Sequence, residues 1–296
     1  MPKSIILDTD VGTDIDDAFA IVLALKSPEL QIKGISTVYG DVNLRAKIVL
    51  KILKLAGRKD IPVAAGFGKP ITNKKIHWAG WEGKGFLTSR DKNLIPTSKD
   101  VVDFISRKLQ SATSKIRLVA IGPLTNIALL IQRKPELMSK IEEIIVMGGK
   151  LEPQKHRFKT PWDYNLNCDP RATEIVFTSK IPIILATFNV CRKVVLLPEH
   201  VEKMEKKGGE LLEGLLRMHK IRSEVINRNW APMFDSVAVS LLFQRELVKM
   251  EKMHLQTKIT GNSLQLIRKH AESNVEVTVD IQVEKFMDMF MTRILS

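Results

Sequence analysis

With 296 residues, 44% of them hydrophobic, the chain can bury a sizeable core as one large α/β domain or two small ones. No apolar run approaches the ~18 residues of a membrane span, and Met1 to Leu7 is too short an apolar stretch before Asp8 for a signal peptide. The formal charge of +13 invites nucleic acid, but the lysines are scattered and the aromatics, 6% of residues, do not interleave with them, so a basic solvated surface is the expectation and nucleic-acid binding is not. Cys168 and Cys191 make no disulfide framework in a chain of this length, and a cytoplasmic protein with free thiols is expected.

Ser4 to Leu7 is a short apolar run ending in a polar turn, which predicts a buried strand. Asp17 to Lys26 predicts a helix stopped near Ser27-Pro28. Leu30 to Val38 is a second strand, Ala46 to Ala56 a second helix, and Ile61 to Ala64 a third strand. Residues 66–98 carry many Gly, Pro and Trp with little periodicity and are expected to form a long functional loop. A helix over Lys99 to Ala112 follows, then a strand over Ile116 to Ile121 and a Gly122-Pro123 turn into another helix. Ile141 to Met147 and Ile181 to Ala186 are further strands, and Val275 to Val283 alternates as a half-exposed one. Strands alternating with helices predict an α/β fold: one domain over 1–296, with a mostly parallel, mixed sheet flanked by helices.

Ligands of such sheets sit beyond the carboxyl ends of the strands, and polar residues gather there: Asp8 and Asp10, then Asp41 and Asn43, then Thr125 and Asn126. The first loop is the densest. Asp8, Asp10, Asp14, Asp16 and Asp17 lie within ten residues, and so many like charges repel unless a cation or protons neutralise them. All are oxygen donors with no histidine or cysteine nearby, which suits Ca²⁺ or Mg²⁺ better than Zn²⁺. The bland alternative is an acidic solvated loop in which Asp14 or Asp16 caps the following helix.

Asp10-Val11-Gly12-Thr13-Asp14-Ile15-Asp16-Asp17-Ala18 resembles the signature of the inosine-uridine-preferring nucleoside hydrolases, in a form two residues longer than the commonest one. Ile121-Gly122-Pro123-Leu124-Thr125-Asn126 is similar to a second block of that family and Ile145-Val146-Met147-Gly148-Gly149 to a third. Asp163-Tyr164-Asn165 with Asp169-Pro170 and Phe234-Asp235-Ser236 complete the series in the family's order. The resemblance implies a Rossmann-like nucleoside hydrolase fold and a homo-oligomer, dimer or tetramer. It implies Ca²⁺-dependent cleavage of a small-molecule ribonucleoside to free base and ribose. Ca²⁺ would be held by Asp10, Asp17, the Thr125 carbonyl and Asp235, with Asp10 also the general base. Asp16 would bind the ribose 2′-hydroxyl, Asn165 and Asp235 the 3′-hydroxyl, and Asp163 the 5′-hydroxyl, with Met147 packed near the sugar.

Carboxylates and amides around the ribose would stabilise the oxocarbenium-like charge that builds there. Three positions depart from the family pattern. The usual glutamate is Asp163, an upstream asparagine has no equivalent among His156, Arg157, Phe158, Lys159 and Thr160, and the histidine often serving as leaving-group acid is Phe234. Trp78 and Trp81 lie in a segment similar to the family's base-binding loop, and purine-preferring members use an aromatic sandwich and an aspartate near Asp41. Stacking by Trp78, Trp81 and Phe234 therefore leans the expectation toward purines, with a pyrimidine-preferring or broad enzyme as the alternative and ordinary packing as the bland account of each ring.

Two rivals remain on sequence alone. Leu7-Asp8-Thr9-Asp10-Val11 also resembles the nucleophile loop of haloacid dehalogenase-type phosphatases, but no convincing second acidic motif follows Lys180. A non-catalytic nucleoside-binding protein would be marked by a lost metal ligand, and all four expected ligand positions are present.

Overall fold

The first strand, β1 (Lys3–Thr9), is buried from Ser4 onward. Ile5 and Leu7 enter the core on one side of the sheet and Ile6 the core on the other, so both faces are covered and the run is apolar throughout. The computed structural model describes residues 2–151 and 163–296. Chain order continues with α1 (Asp16–Leu25), β2 (Leu30–Thr37), α2 (Val42–Leu55) and β3 (Val63–Ala65). Beyond the long loop come α3 (Val101–Ser111), β4 (Ile116–Ala120), α4 (Thr125–Arg133) and β5 (Ile141–Met147). Two short helices, α5 (Tyr164–Cys168) and α6 (Pro170–Phe177), precede β6 (Ile183–Ala186) and the single turn α7 (Phe188–Cys191). The last third holds β7 (Val195–Leu196), α8 (Pro198–Lys207), α9 (Glu210–Ile226), β8 (Ala231–Pro232) and α10 (Phe234–Ser240). It closes with β9 (Val248–Thr260), β10 (Ser263–Lys269), β11 (Val275–Ile281) and α11 (Val283–Leu295).

The main sheet has nine strands in the order β10-β9-β11-β6-β5-β4-β1-β2-β3. The run from β3 to β11 is parallel, and β9 lies antiparallel to both β11 and β10. The sheet is therefore mostly parallel and mixed, as expected. Residues of α1, α2, α9, α10 and α11 pack on one face, and those of α3, α4 and α6 on the other. No helix among the described residues is long and apolar enough to cross a membrane.

Several expectations shift in detail. α2 starts at Val42 rather than Ala46, because Asp41 caps it by accepting a hydrogen bond from the Leu44 N–H at 2.9 Å. With that start, the buried stripe of α2 reads Arg45, Ile48, Val49, Ile52, Leu53, the i, i+3, i+4 spacing of a core-facing helix with an arginine in its first position. Neither Asp14 nor Asp16 caps α1; Ile15 takes that position with no side-chain bond. Asp14 is drawn instead to Arg222 and Asp16 to Asp235. The strand expected over Val275 to Val283 ends at Ile281 and lies inside the sheet between β6 and β9. Its Val275, Val277, Thr278 and Ile281 are buried, so it is less exposed than its alternation implies.

Candidate active site

The carboxyl ends of β1, β4 and β5 and the N-terminus of α10 meet around a cavity of about 460 Å³. Its floor is acidic. Asp10 follows β1, Asp16 and Asp17 open α1, and Asp235 opens α10, all of them buried. Asp16, Asp17 and Asp235 each bring a carboxylate oxygen within 4.8 Å of the others. Burial first, and then repulsion from Asp10 and Asp16, pushes the Asp17 carboxyl well above the ordinary range. Burial, followed by Asp16, Asp17 and Asp10, does the same to Asp235. Burial also raises Asp10, against the pull of Arg45. One oxygen of Asp235, Oδ1, is buried and has no hydrogen-bond partner among the described residues. An orphaned buried carboxylate oxygen beside two more carboxylates is a costly arrangement without a cation. An all-oxygen set of this kind fits a hard divalent ion.

The floor is held by groups that sequence reasoning missed. Thr9 Oγ1 donates to Asp17 Oδ1 at 2.5 Å and accepts from the Val11 N–H at 3.1 Å. Arg45 is fully buried; its Nε donates to the Tyr39 carbonyl at 2.7 Å and its Nη1 to the carbonyls of Asp10 and Val11. Its Nη2 stands 4.0 Å from Asp10 Oδ2, so the guanidinium is both a brace for the acidic loop and its counter-charge. The signal for it was the arginine in a core position of α2. Asp8 lies inside β1 rather than after it and accepts from Ser36 Oγ at 2.5 Å and Asn126 Nδ2 at 2.7 Å. Burial nevertheless pushes its carboxyl up to about 7.

Gly122 packs directly on Asp10. A Cβ there would stand 2.8 Å from Asp10 Oδ1 and 2.9 Å from its main-chain nitrogen. Gly122→Ala is therefore expected to displace the carboxylate and lower kcat/KM by roughly 100-fold, the scale of a 1 Å misplacement. Kinetics and thermal melts on the same sample check this: activity should fall far more than Tm.

Around the rim, Asp163 is the N-cap of α5, accepting from the Leu166 N–H at 2.8 Å, and burial pushes its carboxyl up to about 6. Asn165 gives its amide N–H groups to the carbonyls of Ile121 (3.0 Å) and Met147 (3.3 Å), which leaves its amide oxygen to face a ligand. The opposite wall is aromatic. Phe234 stacks on Phe188 with ring centroids 5.3 Å apart, and Trp81 is fixed by its Nε1 donating to the Thr13 carbonyl at 2.8 Å. Glu82, also buried, ties the same loop down by accepting from Ala79 N, Gly80 N and Thr13 Oγ1 at 2.8–3.0 Å.

The model of the inosine-uridine preferring nucleoside hydrolase family matches residues 5–288. The chain belongs to that family. The pyrimidine-specific ribonucleoside hydrolase RihA of Salmonella arizonae is 33% identical to it over 99% of both chains. RihA of Citrobacter koseri is 32% identical over 99% of this chain and 98% of its own. Among solved structures, the purine-preferring ribonucleoside hydrolase from Gardnerella vaginalis superposes with a TM-score of 0.86 at 25% identity, covering 99% and 98% of the two chains.

In this nucleoside hydrolase the cavity gathers Asp10, Asp16, Asp17, Trp81, Met147, Asp163, Asn165, Phe234 and Asp235, all expected from sequence. Three expected residues lie outside its lining. Asp41 spends its carboxylate on the cap of α2. Trp78 is 37% exposed and lies against the Arg45 guanidinium, 5.1 Å from ring centroid to Cζ. Thr125 is buried in the first turn of α4, where its hydroxyl donates to Asp169 at 2.7 Å. The tight carboxylate triad also takes in Asp16 and leaves out Asp10, whose carboxylate lies between Arg45 and Gly122. His156, Arg157, Phe158, Lys159 and Thr160 lie outside the described residues. Residues not foreseen in the lining are Phe188, Arg222, Ile226 and Arg228.

Proposed function

We propose that this enzyme hydrolyses the N-glycosidic bond of ribonucleosides with Ca²⁺ as its ion. The acidic floor lying in one cavity with Asp163, Asn165 and an aromatic wall is the observation that carries the reading. Asp16, Asp17 and Asp235 would hold the ion with Asp10 beside them, and the Thr125 carbonyl is assigned to it from the family resemblance. Bound there, a divalent ion would acidify water and organise it near the anomeric carbon. The chain's own residues supply the rest. Asp10 accepts the proton of the attacking water. Asp16 holds the ribose 2′-hydroxyl, Asn165 and Asp235 the 3′-hydroxyl, and Asp163 the 5′-hydroxyl, while Met147 packs against the sugar. These fixed oxygens stabilise the positive charge of the oxocarbenium-like transition state without having to reorganise.

The base is assigned to the aromatic wall. Trp81 and Phe234 offer ring faces, and a purine presents the larger surface to stack on, which supports a purine preference. The two RihA relatives, pyrimidine-specific by description, favour the opposite reading. Release of free ribose from a panel of purine and pyrimidine nucleosides, with EDTA and with Ca²⁺ restored, tests both readings together. Expected are EDTA-sensitive ribose release and faster turnover of inosine than uridine; uridine as the faster substrate reverses the base assignment. The 2′-deoxynucleosides are expected to lose about 10³-fold or more in kcat/KM, because an absent hydroxyl leaves buried partners of Asp16 unpaired. Equal rates on ribo and deoxy substrates remove Asp16 from the sugar.

A further inference from the structure

The acidic floor answers the positive charge on the ribose, yet the same bond cleavage sends an electron pair onto a nitrogen of the base. Phe234 has no proton or charge to meet it. One buried cation does line the base side of the cavity. α9 brings in Arg222, only 6% exposed. Its Nε donates to Asp14 and its Nη1 to the Trp230 carbonyl at 3.3 Å, which engages two of the five N–H donors of a guanidinium. Arg228 lines the same wall, its guanidinium 5.3 Å from the Trp230 ring centroid. The cavity is thus bipolar, with carboxylates under the sugar and guanidinium groups at the mouth, where it opens through Asp14, Phe188, Arg222, Arg228 and Phe234 into a wider cleft of about 1030 Å³.

We infer that Arg222 is a catalytic residue that receives the negative charge of the departing base, taking the part that a proton donor would otherwise play. It rests on the orientation proposed above, ribose over the acidic floor and base against the aromatic wall. In the step, the C1′–N bond breaks and its electron pair stays on the base nitrogen. The water oxygen forms the new C1′–O bond, and the water proton passes to Asp10. Arg222 keeps its own protons and donates hydrogen bonds to the base anion, which is then protonated by solvent water at the cavity mouth. A guanidinium stays charged at any working pH, so it suits charge stabilisation rather than proton transfer. Its pairing with Asp14 fixes its orientation while leaving donors for the base. The rival is His77, an exposed residue at the same mouth whose main-chain N–H donates to the Tyr39 hydroxyl at 2.9 Å.

The test uses leaving groups of different need. p-Nitrophenyl β-D-ribofuranoside releases a stable anion that requires little help, whereas inosine and uridine release poor leaving groups. Arg222→Gln is expected to lower kcat/KM on inosine and uridine by about 100- to 1000-fold, the scale for losing one donor aimed at developing charge, while the nitrophenyl riboside stays within about 3-fold of the unmodified enzyme. Arg222→Lys keeps a point charge without the planar fork and should show the same selective loss at about 10-fold; it serves as the test if the glutamine variant does not fold. Equal losses on both kinds of substrate would mean a structural role and overturn the inference, as would unchanged rates on nucleosides. A selective loss appearing in His77→Gln and absent from Arg222→Gln overturns it in favour of the histidine. EDTA-sensitive hydrolysis of the nitrophenyl riboside by the unmodified enzyme reports the ribose end alone, so failure of that reading is separable from failure of this one.

Discussion

Asp10→Ala should lower kcat by about 10³- to 10⁴-fold, the contribution of a positioned general base, with free ribose barely detectable from any nucleoside. The expectation rests on where the chain places this carboxylate. Asp10 is buried between Arg45 and Gly122 and close enough to Asp16, Asp17 and Asp235 for its charge to raise the carboxyls of all three. Removing it subtracts a proton acceptor and also a negative charge from the floor, so the same variant should bind a cation more weakly. Asp10→Asn separates the two effects, because the amide keeps the shape and the contact with Gly122 while losing the basicity. Steady-state kinetics with saturating Ca²⁺, beside isothermal titration of the ion, read them apart. Substantial turnover in Asp10→Asn would remove Asp10 from the role of base.

The floor and the parallel sheet were legible in the sequence for a shared reason. A strand buried on both faces must be apolar throughout, so β1, β4 and β5 announce themselves, and the polar residues following them fall at the end where such sheets bind ligands. What escaped was whatever depends on contacts between distant segments. Arg45 looks like one more surface cation until Asp41 is known to cap α2, which sets the helix register and turns the arginine inward. Asp41 itself has two plausible uses in sequence, a cap or a base contact, and only the fold shows that its carboxylate accepts from Leu44. Trp78 and Trp81 are three residues apart in one loop, yet Thr13 and Glu82 pin the second into the cavity while the first covers Arg45. β9 and β10 carry lysines and glutamines between their apolar residues, and their alternation becomes evident only once β11 is seen to need a partner on its outer side.

The acidic floor also dictates how stability should respond to pH and to metal. Without a cation, burial and mutual repulsion hold the carboxyls of Asp10, Asp16, Asp17 and Asp235 above the usual carboxylate range. Between the unfolded value, about 4, and those raised folded values, the folded chain binds more protons than the unfolded one, so its stability falls as pH rises through that window. A cation reverses the slope. It binds the ionised floor, offsets the repulsion, and competes with protons less as pH rises. In EDTA, Tm is therefore expected to decline from about pH 5 to about pH 7.5 on account of these groups. Ca²⁺ at about 100 times its dissociation constant should restore about 2.7 kcal/mol at the upper pH, or about 5 °C or more in Tm, and much less at the lower pH. Thermal melts across that range, in EDTA, Ca²⁺ and Mg²⁺, make the comparison. A floor built for Ca²⁺ should give a larger shift with Ca²⁺ than with Mg²⁺, because flexible oxygen ligands suit the larger ion and Mg²⁺ gives up its water reluctantly. An identical Tm at about pH 7.5 in all three conditions would mean that protons, and not a metal, neutralise the aspartates.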